Sequence, residues 1–145
     1  MRRNPVVHGG TVPLTDPSYD FLLGEGWSGA ESWGRWAVGH RAEVHLALET
    51  DRAYRIEVEA FGFCPPDFSG QSVQVGWNDV LLGQHTLTSC EREVFSFDLP
   101  ADVPTRALDT LWFAFENAVS PQELGLSGDP RPLALGIVSI RLVQQ

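Results

Sequence analysis

Residues 26–48 read GWSGAESWGRWAVGHRAEVHLAL and hold three of the chain's five tryptophans, Trp27, Trp33 and Trp36, within ten positions. An indole is a large flat apolar surface with one polar N–H, suited to a core, to an interface or to a platform for a flat ligand. Glu31 and Arg35 stand two positions to either side of Trp33. A carboxylate that accepts and a guanidinium that donates, beside an aromatic face, are what a sugar requires: its C–H face stacks while its hydroxyls are held. If the chain runs as a strand through Trp33 to Val38, Trp33 and Arg35 share one face, and Gly34 and Trp36 the other. On this reading Trp36 anchors the core, Trp33 lies at the surface, and Trp27 precedes them in a Gly-rich turn. A bulge at Gly34 would reverse the phase. The competing reading makes all of these rings packing, the outward one covered by the N-terminal segment or a loop.

A second polar set lies near the end of the chain: Ser120, Glu123, Ser127, Asp129 and Arg131. In an extended stretch Asp129 and Arg131 share a side. They are either an ion pair pinning a long loop or a hydroxyl-binding fork, Asp accepting and Arg donating. The candidate ligand-binding residues are therefore Trp27, Glu31, Trp33, Arg35, Asp129 and Arg131, provided the two segments converge. Catalytic signatures are absent: the chain has no GxSxG, no HExxH and no P-loop. His8, His40, His45 and His85 stand apart, and no two carboxylates are marked as an acid and base pair. No DxDxDG spacing suggests calcium. No catalytic residue, metal or cofactor is expected.

The elements that must position these residues are strands. Ala42, Val44, Leu46 and Leu48 alternate with polar neighbours, as do Tyr54, Ile56, Val58 and Ala60. Val73, Val75 and Trp77 follow, then a WND turn into Val80, and then the inward sets Phe95, Phe97, Leu99 and Leu111, Phe113, Phe115. Residues 133–143 close the chain as a long apolar strand, with Val138 and Ile140 expected in the core. Only residues 120–124 offer a helical turn, with Ser120 as cap and Glu123 where a capping box needs it. Roughly eight or nine short strands with few helices make an all-β fold, an antiparallel sandwich or barrel. Residues 1–18, rich in Pro and Gly, read as an extended N-terminal arm, and residues 19–145 as one β-sandwich domain.

Composition narrows the partners. The formal charge of −9 argues against nucleic acid and against an anionic membrane surface. All ten basic residues are Arg. No apolar run has the length of a membrane helix, and the start lacks the pattern of a signal peptide. Cys64 and Cys90 have no CxxC spacing and no neighbouring His, so zinc is not expected. Free buried thiols are the first expectation, and a disulfide would suit a protein that works outside the cell.

The pattern GWS-x2-E-x2-GRW-x2-G-x2-A-x-V-x-L-x-L over residues 26–48 resembles the opening of a β-sandwich domain of bacterial cell-surface polysaccharide proteins. There it accompanies glycosyltransferases and phosphoglycerol-transferase-like enzymes. The similarity continues in Val73, Val75 and Asn78, in Phe95, Phe97, Leu99 and Pro100, and in SPQELGLSGDPRPLALGIVSIRL at residues 120–142. It spans about residues 24–143. The resemblance implies a jelly-roll-like sandwich, a carbohydrate-binding-like domain associated with surface polysaccharide, and no catalysis. The chain shows no enzymatic partner domain, so any activity is expected to be the module's own. The expected function is non-catalytic binding of bacterial capsular polysaccharide as an adhesion module, with no membrane insertion. The alternative is a structural spike or baseplate component of a phage-like particle, contacting protein subunits through residues 1–18 and the Trp cluster. Synthesis in the cytoplasm and action at the bacterial surface, on such a particle, are the expected localisation.

Overall fold

The computed structural model describes residues 10–48, 52–104 and 108–145. The alternating runs form eight strands: β1 (Arg35–Val38), β2 (Arg41–Leu46), β3 (Tyr54–Gly62), β4 (Gln71–Trp77), β5 (Val80–Leu87), β6 (Glu93–Leu99), β7 (Asp109–Phe115) and β8 (Leu133–Gln144). They make two four-stranded antiparallel sheets, in the order β1-β8-β3-β6 and β2-β7-β4-β5. This is an antiparallel, jelly-roll-like β-sandwich. Each strand sends alternate side chains inward, so Val44, Leu46, Ile56, Val58, Val75 and Phe113 are all fully buried between the sheets. Among the described residues no helix is long and apolar enough to cross a membrane.

Two expected core positions depart from that pattern. Val138 is half-buried, because β8 carries an extra residue there: Glu59 of β3 pairs with Ser139, and Ala60 already with Ile137. The bulge leaves Val138 unpaired and restores Ile140 to the core. Phe97, on the edge strand β6, is only partly buried against the core.

The edges are closed by chain that belongs to no full strand. β8 has twelve residues and β1 only four, so part of β8 would lie unpaired. Residues 10–12 fill that place: Thr11 bridges Arg141, and the Val12 N–H donates to the Ile140 carbonyl at 2.9 Å. Val12 and Leu14 are buried in the core. Residues 10–18 of the expected arm therefore pack along the sandwich; residues 1–9 of it lie outside the described residues. The helical turn falls here too. Asp16 caps a 3-10 helix, Pro17–Leu22, accepting from the Ser18 N–H, with Pro at its start. At residues 120–124 the capping-box bonds do form: Glu123 N–H donates to Ser120 Oγ at 3.0 Å, and Ser120 Oγ donates to Glu123 Oε1 at 3.1 Å. The chain stays a turn, however, and leaves it at Gly125.

Cys64 and Cys90 form a disulfide, with Cα atoms 5.9 Å apart, where free thiols were the first expectation. The β3–β6 register explains it. Ala60 pairs with Glu93, and the same register carried past the strand ends sets residue 64 across from residue 89, one position from Cys90.

Candidate binding face

The tryptophan segment is a hairpin on the outer edge of β1. Ser28 N–H donates to the Trp36 carbonyl at 3.0 Å, and Val38 N–H to the Gly26 carbonyl at 2.7 Å. Glu31 and Gly34 exchange backbone bonds of 2.9 and 3.3 Å, so Ser32 and Trp33 form the turn. Gly34 has φ of 146°, and a side chain there would collide with the Ile137 carbonyl. This turn resets the phase of the strand. Arg35 and Ala37 point into the sandwich, and Trp36 points out. The expectation that Trp36 sits in the core and Arg35 beside Trp33 is thereby reversed; the core tryptophan is Trp77, fully buried on β4.

Trp33 and Trp36 instead meet on the outer face of the β1-β8-β3-β6 sheet. One row of that face, crossing three strands, reads Trp36, Gly136, Phe61. Gly136 leaves a gap into which the Phe61 ring leans; a Cβ there would strike that ring. Trp36 and Phe61 therefore approach across β8, with ring centroids 5.4 Å apart and edge to face. Trp33 folds over both, 5.4 Å from Trp36 and 5.1 Å from Phe61, and Phe63 completes the set at 5.9 Å from Trp36. All four rings are half-buried. The Arg92 guanidinium stands 5.9 Å over Phe61. Phe61 and Phe63 were not among the sequence candidates. Their signal was available: Phe61 lies in β3 and Phe63 just beyond it, a strand whose inward residues carry even numbers, so both aromatics fall on its polar side.

The remaining candidates divide. Arg35 is buried and ties the N-terminal segment to the hairpin. Its Nε donates to the Leu14 carbonyl at 2.7 Å, Nη1 to the Ser28 carbonyl at 3.4 Å, and Nη2 pairs with Asp20. Trp27 is half-buried, bridges Ala37 and donates its Nε1–H to the Glu43 carbonyl at 2.8 Å, joining the edges of the two sheets. Asp129 and Arg131 pair with each other, at 2.7 Å between Nη2 and Oδ2 and 3.0 Å between Nε and Oδ1. The hydrogen bonds from the Arg131 side chain and backbone lower the Asp129 pKa to about 2. Arg131 is raised in turn, first by its bond to Asp129 and last by the charge of Glu31. The hairpin and the 127–132 loop thus come within electrostatic range. The charge of Glu31 reaches Arg131, while Arg35 and Trp27 serve the scaffold beneath the hairpin.

Replacing Arg35 by Met, which keeps the apolar stem, leaves the buried Leu14 carbonyl without its donor. The expected cost is about 2 kcal/mol, read from the urea midpoint. Asp20→Asn should cost under about 1 kcal/mol, since the Asp20 side chain is 60% exposed.

Among the described residues no group of three or more His, Cys, Asp or Glu could hold a metal ion. No protein-family model matches the chain, and no curated protein does. Solved structures do. The fold is similar to that of a carbohydrate-binding module. This is the CBM36-1 domain of a multidomain xylanase from the hindgut metagenome of Trinervitermes trinervoides, with TM-score 0.54 and 6% identity. The match covers 92% of this chain and 94% of that one. The acetyl xylan esterase Est2A of Butyrivibrio proteoclasticus matches with TM-score 0.51 and 12% identity, over 95% of this chain and 33% of that chain. The delta-endotoxin Cry8Ea1 of Bacillus thuringiensis matches with TM-score 0.51 and 13% identity, over 77% of this chain and 20% of that chain. At these identities the likeness concerns the fold, and this chain corresponds to only a part of the esterase and of the toxin.

Proposed function

We propose that this chain is a non-catalytic module that binds polysaccharide, and that its natural ligand is the capsular polysaccharide of a bacterial surface, to which it acts as an adhesion module. The observation that carries the reading is the aromatic surface of Trp33, Trp36, Phe61 and Phe63 on the outer face of one sheet. Four half-buried rings clustered on one outer face form the kind of contiguous apolar patch that marks a binding surface. Sugar rings suit this one: they stack by C–H faces and need acceptors and donors close by, which Glu31, two residues from Trp33, and Arg92, over Phe61, supply. Recurrence of the fold in a carbohydrate-binding module supports the reading, and the resemblance of residues 24–143 to a domain of surface-polysaccharide proteins supports the capsular ligand. The test is affinity electrophoresis of the whole chain through gels containing purified capsular polysaccharides, alongside plant and storage polysaccharides as comparators. Retardation by at least one capsular polymer and not by the comparators is expected. Unretarded migration in every gel would sink the proposal.

A further inference from the structure

Beside the aromatic face lies a cavity of about 320 Å³. It opens between the β3–β4 loop, residues 63–70, and the β7–β8 connection at residues 117–119. Its size falls at the small end of ligand sites and suits a single sugar unit better than a length of chain. Phe63 and Phe68 give it apolar walls, and Asp67, Ser69 and Asn117 give it polar ones. Phe63 is shared with the aromatic face, being the ring that stands edge to face against Trp36. A chain stacked across Trp33 and Trp36 could therefore run on over Phe63 and into the cavity without leaving a surface that binds it.

The walls are preformed. Gln71 is 3% exposed and clamps both sides: its Nε2 donates to the Asn117 carbonyl at 2.7 Å and the Ala134 carbonyl at 2.9 Å, and its Oε1 accepts from Asn117 N–H at 3.0 Å. The Phe68 N–H closes a turn on the Pro65 carbonyl at 3.0 Å, and the disulfide fixes Cys64 at the root of that loop. A site held in this way spends little ordering entropy on its ligand. Charge narrows the ligand further. Among the described residues Asp67 is the one charged residue lining the cavity, and no Arg or His lines it. A carboxylate accepts from sugar hydroxyls but repels a second carboxylate.

We infer that this cavity receives an uncharged terminal or branch sugar of the polysaccharide and turns away acidic ones. The inference rests on the polysaccharide reading above. The experiment is a titration of the 15N-labelled whole chain with glucose, galactose, mannose, N-acetylglucosamine and glucuronic acid, followed by NMR. At least one neutral sugar should shift the backbone amides of Ser69, Gly70, Asn117 and Ala118, while the indole N–H signals of Trp33 and Trp36 stay in place. Glucuronic acid should bind these amides at least about fivefold more weakly, the effect of like charges about 4 Å apart in water. Asp67→Asn, on an exposed loop position, should remove that difference, a gain of binding that misfolding cannot imitate. Silence of those amides toward all five sugars, or equal binding of glucuronic acid to the unaltered protein, overturns the inference. A retarding polymer that moves the two indole signals and leaves the cavity amides still would overturn it while leaving the polysaccharide reading intact. A retarding polymer that shifts the cavity amides and leaves both indole signals still would support the inference and count against the aromatic face.

Discussion

Replacing Cys64 and Cys90 together by Ser is expected to lower stability by about 3–4 kcal/mol, the chain-entropy value for a loop of this length. The two positions are 26 residues apart, and the loop they close contains all of β4 and β5. Both cysteines flank strands of one sheet, β3 and β6, whereas β4 and β5 belong to the other. The bond thus limits how far half of the second sheet can stray from the first in the unfolded chain. The bond joins chain that the β3–β6 ladder already holds close, since its register carried past Ala60 and Glu93 sets residue 64 within one position of residue 90. Urea unfolding of the oxidised protein, of the reduced protein and of the double variant gives the test. The last two should agree with each other and fall below the first. Identical midpoints for all three would show that the bond adds nothing to stability.

The sandwich was legible because its strands obey one simple period. Val44 and Leu46, Ile56 and Val58, Val75, and Phe113 were assigned inward from alternation alone, and all are fully buried. Alternation fails where the ladder itself is irregular, and nothing in the letters IVSI announces that Val138 is an extra residue against β3. Gly34 is the same kind of event with a larger consequence. A glycine between two tryptophans is a visible warning, but its effect on phase depends on the bonds between Glu31 and Gly34, which are a property of the turn. The cysteine pairing required knowing that β3 and β6 are neighbours, although β4 and β5 separate them in the chain. The Asp129–Arg131 pair was legible because a spacing of two in extended chain puts both groups on one side. Phe61 was overlooked because its significance depends on Gly136, 75 residues away, being the residue across the ladder. The DPSYD segment carried a readable cap, but it stood within a Pro- and Gly-rich stretch that reads as an arm, and the vacancy beside β8 that residues 10–12 fill appears only once β1 is seen to be short.

Trp33→Ala should weaken binding to a retarding polysaccharide about 5- to 150-fold, and it should leave the fold standing. The binding figure corresponds to about 1–3 kcal/mol, the worth of one aromatic stacking platform by analogy with bases on aromatic side chains. The fold should survive because Trp33 lies in the hairpin turn and outside the buried core, so its loss removes two ring contacts and opens no cavity between the sheets. Those contacts are worth about 0.5–1.5 kcal/mol each at most. Trp36→Ala should behave differently. That ring touches Trp33, Phe61 and Phe63 at once, so its removal loosens the whole set and costs more stability as well as binding. Gly136→Val attacks the same surface without removing any aromatic: the new side chain occupies the gap into which Phe61 leans and parts it from Trp36. Trp112 is the control. It lies on β7, its ring over Gly76 on the other sheet, so Trp112→Ala should leave polysaccharide binding unchanged whatever it does to stability. The measurements are melting temperature and electrophoretic retardation for all four variants. Binding that follows melting temperature alone, with Trp33→Ala no weaker a binder than Trp112→Ala, would make the four rings an outlying patch of core and remove the platform from the account.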